Sequence, residues 1–267
     1  MRMKIYVSAD IEGTTGIAHR DEIIKGKTDY AEFQKQMTAE VAAACEGALD
    51  AGASEIVVKD AHDTARNIIV AKLPEKVRII REWSQHPYSM LQGLDESFDA
   101  VIMTGYHAKA GTDTNPLAHT ITGSLSFIKV NGKYISEFLL GAYTAALVGV
   151  PVVLVTGDKG LCREVSEMNP EISTVAVSEG VGASTFAIHP NVAVRTIKEV
   201  AKKVLSGDFS KCRINLPGHF EVEVGYKEHK KAYKMSFYPG ARLVEPHVIR
   251  FESDDYFEVL RTLMFTL

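Results

Sequence analysis

Short runs rich in β-branched residues recur along the chain and constrain its fold most. They include Ile5 to Val7, Ile56-Val57-Val58, Val77 to Ile80, Ala100 to Met103, Val152 to Val155 and Ile172 to Val177. Runs of this kind read as buried strands. Helical patterns lie between them. Phe33, Met37, Val41, Cys45 and Leu49 step by four and give a helix one apolar face. Asp29, with Glu32 three residues on, resembles a capping box, and Gly52 supplies the stop. A second helix starts near Glu137, with Phe138, Leu140, Tyr143 and Leu147 available for burial. His189-Pro190 opens a third, which ends near Leu205 and is closed by Gly207. Strand and helix in alternation predict an α/β fold: a mostly parallel sheet between helices, in three layers.

Two regions break the rhythm. In 111–136, Phe127 to Val130 and Lys133 to Ile135 flank Asn131-Gly132, a strong hairpin signal. Beyond about residue 210, Phe220 to Val224 alternates Glu with apolar residues, as a half-exposed antiparallel strand does. Val248 to Phe251 is another strand, and Asp255 to Leu267 reads as an apolar helix. The expected organisation is an α/β core from 1–110 and 137–208, with a smaller α+β domain from 111–136 and 209–267.

At 267 residues and 46 % hydrophobic, the chain has the length and composition for a real core. A net charge of -4 leaves no basic footprint for nucleic acid. No apolar run reaches the roughly 18 residues that span a bilayer, so no membrane partner is expected. The N-terminal MRMKIYVSAD runs straight into strand pattern, unlike a signal peptide. Cys45, Cys162 and Cys212 are scattered, which fits free thiols in a reducing compartment. The expected location is the cytoplasm.

Chemistry gathers where the strands end. Asp10 and Glu12 follow the first, and two carboxylates two residues apart in extended chain point to the same side. Like charges so close repel unless a cation sits between them. His62 follows the second strand and His107 the fourth. Ligands of parallel sheets bind beyond the carboxyl ends of the strands. Glu137, at a helix start, is a fifth candidate. Two histidines and three carboxylates suit zinc, with manganese second. The set is acidic for one tetrahedral ion and better matched to two cations sharing Asp10. Taken singly, each has a blander reading. A histidine after a strand is often a loop or core residue, and Glu137 is an acid favoured by a helix dipole. Asp158 ends a strand and reads as a helix cap or as support for the ligands. His19, His86, His189, His219, His229 and His247 lack strand-end context and read as surface or packing residues. Gly180-Val181-Gly182 lacks the third glycine of a dinucleotide fingerprint.

SADIEG at 8–13, KDAH at 59–62, PYSMLQGLDESFD at 87–99, GYHAKAG at 105–111 and a histidine at 119 occur in one order and spacing. Together they resemble the DppA-like zinc-dependent D-aminopeptidase family, over roughly residues 4–160. The resemblance implies a two-zinc peptidase, with three α/β layers and a second α+β part, that assembles into ring-like homo-oligomers around a chamber. It implies Asp10 as the bridging ligand, Glu12 and His107 completing one zinc site, and His62 and Glu137 the other. It places His119 as the catalytic histidine. The implied reaction is hydrolysis of the N-terminal bond of short peptides, with D-amino acid N-termini, by water whose pKa two zinc ions lower. Two other readings stay open: a binuclear hydrolase of a non-peptide amide, and a peptide-binding protein without catalysis. The last has no use for five ligands.

Overall fold

The computed structural model describes residues 3–267. Strand β1 (Met3–Ala9) is followed by helix α1 (Tyr30–Asp50), β2 (Ala53–Asp60), β3 (Val77–Ile80) and β4 (Ala100–Tyr106). The hairpin β5 (Leu125–Val130) and β6 (Lys133–Tyr134) leads to α2 (Glu137–Leu147). Next come β7 (Val152–Asp158), α3 (Lys159–Met168), β8 (Ser173–Val181), β9 (Ser184–Ala187) and α4 (Pro190–Leu205). The chain ends with β10 (Phe220–Tyr226), α5 (His229–Met235), β11 (Arg242–Glu245), β12 (Val248–Ser253) and α6 (Tyr256–Thr266). The elements α3, β9, α5 and β11 go beyond the sequence expectation; β9, α5 and β11 are short and largely exposed, whereas α3 buries a stripe of Leu161, Cys162 and Val165.

Seven strands form one sheet in the order β3-β2-β1-β4-β7-β8-β9, parallel except for β9. The other five form an antiparallel sheet in the order β11-β12-β10-β5-β6. Asn131 (φ 50°) and Gly132 (φ 77°) turn the β5–β6 hairpin, as its two-residue connection requires. The fold is therefore mixed α/β with a mostly parallel principal sheet.

After β1 the chain moves outward to β2 and β3, then returns so that β4 pairs with the other side of β1. The direction of winding reverses between β1 and β4, which opens a crevice at their carboxyl ends. Residues 5–9 of β1 and all of β4 are buried, so this point is central.

On one face α1 and α4 pack together. Met37, Val41 and Cys45 of the expected stripe are buried there. The capping box is not formed: Asp29 has helical φ/ψ (-87°, -11°) and its side chain caps nothing. A side-chain cap needs extended backbone at that position. On the other face α2 meets α6, where the Tyr256 hydroxyl donates to Leu140 O at 2.8 Å. No described helix is long and apolar enough to cross a membrane.

The α1–α4 contact depends on Gly47. A Cβ there would lie 2.3 Å from Lys198 O and 2.8 Å from Ala201 Cβ. Gly47→Ala is expected to destabilise the protein. The overpacking cost of about 1–3 kcal/mol exceeds the helix-propensity gain, which is at most about 1 kcal/mol. A thermal melt should show a lower Tm, and an unchanged or higher Tm would contradict this packing.

Candidate metal centre

Six side chains converge at the crevice. Asp10 and Glu12 come from the turn after β1, His62 from the turn after β2 and His107 from the end of β4. Glu137 is the first residue of α2, and His119 lies on the loop between β4 and β5. The turn after β1 can reach β4 because residue 13 is glycine. Gly13 N donates to Gly105 O at 2.8 Å, and a Cβ on Gly13 would fall 1.7 Å from Tyr106 O.

Ligand atoms form three overlapping groups, each within 4.8 Å: Asp10, Glu12 and His62; Asp10, His107 and Glu137; Glu12, His107 and His119. Asp10 faces two ways, with Oδ1 3.4 Å from His62 Nδ1 and Oδ2 3.6 Å from His107 Nε2. His62 Nδ1 is 3.0 Å from Glu12 Oε2. Glu137 Oε1 is 3.5 Å from both His107 Nε2 and His119 Nε2. Glu12 lies within ligand reach of both His62 and His107, and Asp10 of His62, His107 and Glu137, so the five expected ligands share one cluster with Asp10 between its two halves.

Each histidine uses one ring nitrogen on a backbone carbonyl. His62 Nε2 lies 2.9 Å from Ile23 O, His107 Nδ1 2.9 Å from Ala108 O, and His119 Nδ1 2.9 Å from Leu117 O. A carbonyl only accepts, so each of these nitrogens carries the proton. The other nitrogen of each ring is aimed at the carboxylates. This is the outer-layer bonding that fixes histidines as metal ligands. The rings of His107 and His119 stack, with centroids 4.4 Å apart.

Asp10 Oδ2, Glu12 Oε2 and His107 Nε2 are buried and make no hydrogen bond. Orphaned polar atoms of this kind are rare in a protein interior and need a partner. Burial, then the Glu12 charge, pushes the Asp10 carboxyl well above its ordinary range. Burial opposes charge on His62 too, but the Glu12 carboxylate and the contacts to Asp10 raise it well above the usual imidazole value. Burial likewise opposes protonation of His107, yet Glu137 and its neighbours bring it to about 10. Glu12 and Glu137 resist the upward pull of burial because His62 and His107 hold them low. The donor set, oxygen and imidazole nitrogen around a shared carboxylate, fits zinc.

A second layer braces the first. Asp158 is both the N-cap of α3, accepting from Leu161 N at 3.0 Å, and the acceptor for Ala108 N at 2.7 Å. The buried Asn115 donates to Glu12 O at 3.1 Å and to Asp158 Oδ2 at 3.3 Å. It thereby ties the His119 loop to the strand ends. Asn67 donates to His62 O at 2.7 Å and is itself held by Asp60. Beside the cluster opens a pocket of ≈ 770 Å³, with walls that include Trp83, His86, Tyr88, Leu117, Leu260 and Met264. His86, read from sequence as a surface or packing residue, is on this wall, 4.7 Å from the ring of Tyr88. Asn115, Trp83 and His86 have no local signature; only the tertiary fold brings them to the site.

The D-aminopeptidase family model matches residues 3–265. The chain is 26% identical to the D-aminopeptidase of Bacillus subtilis (strain 168), over 98% of this chain and 96% of that protein. It is also similar to the solved structure of the Zn-dependent D-aminopeptidase DppA from Bacillus subtilis, described as a self-compartmentalizing protease. That match has a TM-score of 0.91 and 26% identity, and covers 99% of this chain and 96% of that one.

A divalent cation entering the cluster must displace the protons on His62 and His107. Their raised pKa values mean that these protons are present at neutral pH and are lost as pH rises, up to about 10 for His107. Zinc affinity is therefore expected to rise from pH 6 to pH 8, with net proton release. Calorimetric titrations in buffers of different ionisation enthalpy measure that release. Zinc uptake without it would contradict the charge balance described here.

Proposed function

The chain belongs to the D-aminopeptidase family, and from that premise we propose that it is a zinc-dependent aminopeptidase that removes D-amino acids from the N-terminus of short peptides. The observation that carries the reading is the set of three histidines, each locked by a carbonyl and aimed at buried carboxylates. Asp10, Glu12, His62, His107 and Glu137 are the proposed ligands, for two ions that share Asp10. When bound, zinc supplies a Lewis acid that polarises a peptide carbonyl and lowers the pKa of water toward neutrality.

The remaining work falls to the chain. His119 is the proposed catalytic group. Its Nδ1 proton is held by Leu117 O, so Nε2 is free to take or give a proton at the reacting peptide. It is the least buried of the three site histidines, with 24% of its side chain exposed on the pocket wall. Asn115 keeps it in register with Glu12. The acidic end of the pocket suits a free α-amino group, which favours cleavage after the first residue. A site that only bound peptides would gain nothing from His119 placed this way.

The proposed assembly is a homo-oligomer enclosing the sites in a ring or chamber. The antiparallel sheet with 111–136 and 209–267 is the proposed smaller domain beside a core of 1–110 and 137–208. Tyr233, Phe237, Leu243 and Phe265 on this unit expose apolar surface, with Phe237 70% accessible. Such surface suits contacts between copies. Three free, buried cysteines suit the cytoplasm.

Zinc-loaded protein is expected to hydrolyse D-alanine amide faster than L-alanine amide, and a chelator should abolish both activities. No amide hydrolysis by the loaded protein would overturn the reading. His119→Ala should retain zinc and fold while turnover falls by roughly 100-fold or more. KM should move much less, because the contact is made mainly in the transition state. Normal turnover in that variant would remove His119 from the mechanism. Light scattering should show an oligomer at micromolar concentration, and a monomer would exclude the chamber.

A further inference from the structure

Lys59 is fully buried at the end of β2 and takes no part in the proposed reaction. Its ammonium donates to Asp60 O at 2.6 Å and Glu82 O at 2.9 Å, and stands 3.9 Å from the centre of the Trp83 ring. Desolvation of a buried lysine is costly, so three such contacts on one ammonium point to a fixed task. Trp83 is held from a second side, where its indole N–H donates to Asp63 O at 2.7 Å. Glu82 N donates to Ala65 O at 3.0 Å, and Arg66 pairs with Glu82 at 2.9 Å. Residues 61–67, which carry His62, and residues 82–85 are thus joined around one half-buried indole on the pocket wall.

The backbone of both segments is strained. Asp63 (φ 43°), Ala65 (φ 50°), Glu82 (φ 63°) and Gln85 (φ 62°) all occupy the left-handed region without being glycine. Ser89 (φ 47°) and Ile121 (φ 62°), elsewhere on the same pocket wall, do too. Strain of this kind persists where the surroundings enforce it, and it clusters at ligand clamps. The rest of the wall, from Tyr88, Leu117, Leu260 and Met264, offers apolar surface. An alanine side chain would leave much of the ≈ 770 Å³ unfilled.

We propose that Trp83 is the specificity-determining residue of this pocket, packing its indole against an apolar, preferably aromatic, side chain of the peptide, and that Lys59 is the positioning residue that holds the ring. The proposal deepens the aminopeptidase reading and rests on it. It assigns the substrates as short peptides carrying a bulky apolar residue at or next to the cleaved bond.

Two pairs of substrates test it: D-alanine amide against D-phenylalanine amide, and D-Ala-D-Ala against D-Ala-D-Phe. In at least one pair the phenyl member should have the higher kcat/KM by about 10-fold or more, the scale of discrimination in an apolar pocket. Trp83→Ala should remove that advantage. Lys59→Met should reduce it by about threefold or more, through KM rather than kcat, a split that general destabilisation does not produce. No preference in the wild type, or an unchanged ratio in Trp83→Ala, overturns the proposal. Trp83 is the single tryptophan, so its emission reports on the pocket without turnover. D-Phenylalanine should quench or shift it at concentrations where D-alanine does not, and equal responses would also overturn the proposal. That titration decides the matter if Trp83→Ala does not fold. Failure of the loaded wild-type enzyme to turn over any of the four substrates contradicts the aminopeptidase reading instead.

Discussion

Three carboxylates and two imidazoles are buried within a few ångströms of one another at the reversal point between β1 and β4. Burial of unbalanced like charge is among the costliest things a fold can do. In the bare protein burial raises the Asp10 carboxyl, and the neighbouring carboxylates raise His62 and His107 against burial, so each of the three favours its protonated form. Divalent cations would balance the same charge, and Asp10, Glu12 and His107 offer buried atoms without a hydrogen-bond partner to hold them.

The rest of the architecture holds those groups together against their repulsion. Parallel strands deliver Asp10, His62 and His107 to one edge of the sheet, with backbone bonds fixing each exit: Asp10 N to Thr104 O at 2.9 Å and Ala61 N to Ala9 O at 2.8 Å. Asp158 and Asn115 then lock the chain after β4 and the loop that follows it. The antiparallel sheet supplies what the parallel one lacks. Its connection returns at α2 with Glu137 at the helix start, where the N-terminal dipole favours a carboxylate. Glu137 Oε1 also accepts from Ile121 N at 2.6 Å, so it steadies the loop that carries His119.

Some of this was legible in the sequence for a clear reason. Asp10, Glu12, His62 and His107 each follow an apolar run, and the rule that parallel sheets bind at their carboxyl ends puts them on one edge without knowledge of the strand order. Asn131-Gly132 announced its hairpin because that turn needs two positive φ angles. Glu137 and His119 were different. Nothing local separates Glu137 from an ordinary helix-start acid, so its candidacy leaned on the others, and His119 entered through family resemblance alone. Asn115, Lys59, Trp83 and His86 were silent in sequence. Their roles rest on contacts between segments that are distant along the chain, such as Asn115 with Glu12, and on backbone strain that no residue type advertises. Asp29 and Glu32 gave the opposite error: a correct capping pattern that the local backbone conformation did not use.

The central proposal is that Asp10 would be shared between two cations held by Glu12, His62, His107 and Glu137. Anomalous diffraction at the zinc edge from zinc-loaded crystals tests it most directly. The account predicts two peaks flanking the Asp10 carboxylate, each at about 2.0–2.2 Å from its ligand atoms. A single peak, or two peaks of which only one contacts Asp10, would contradict it.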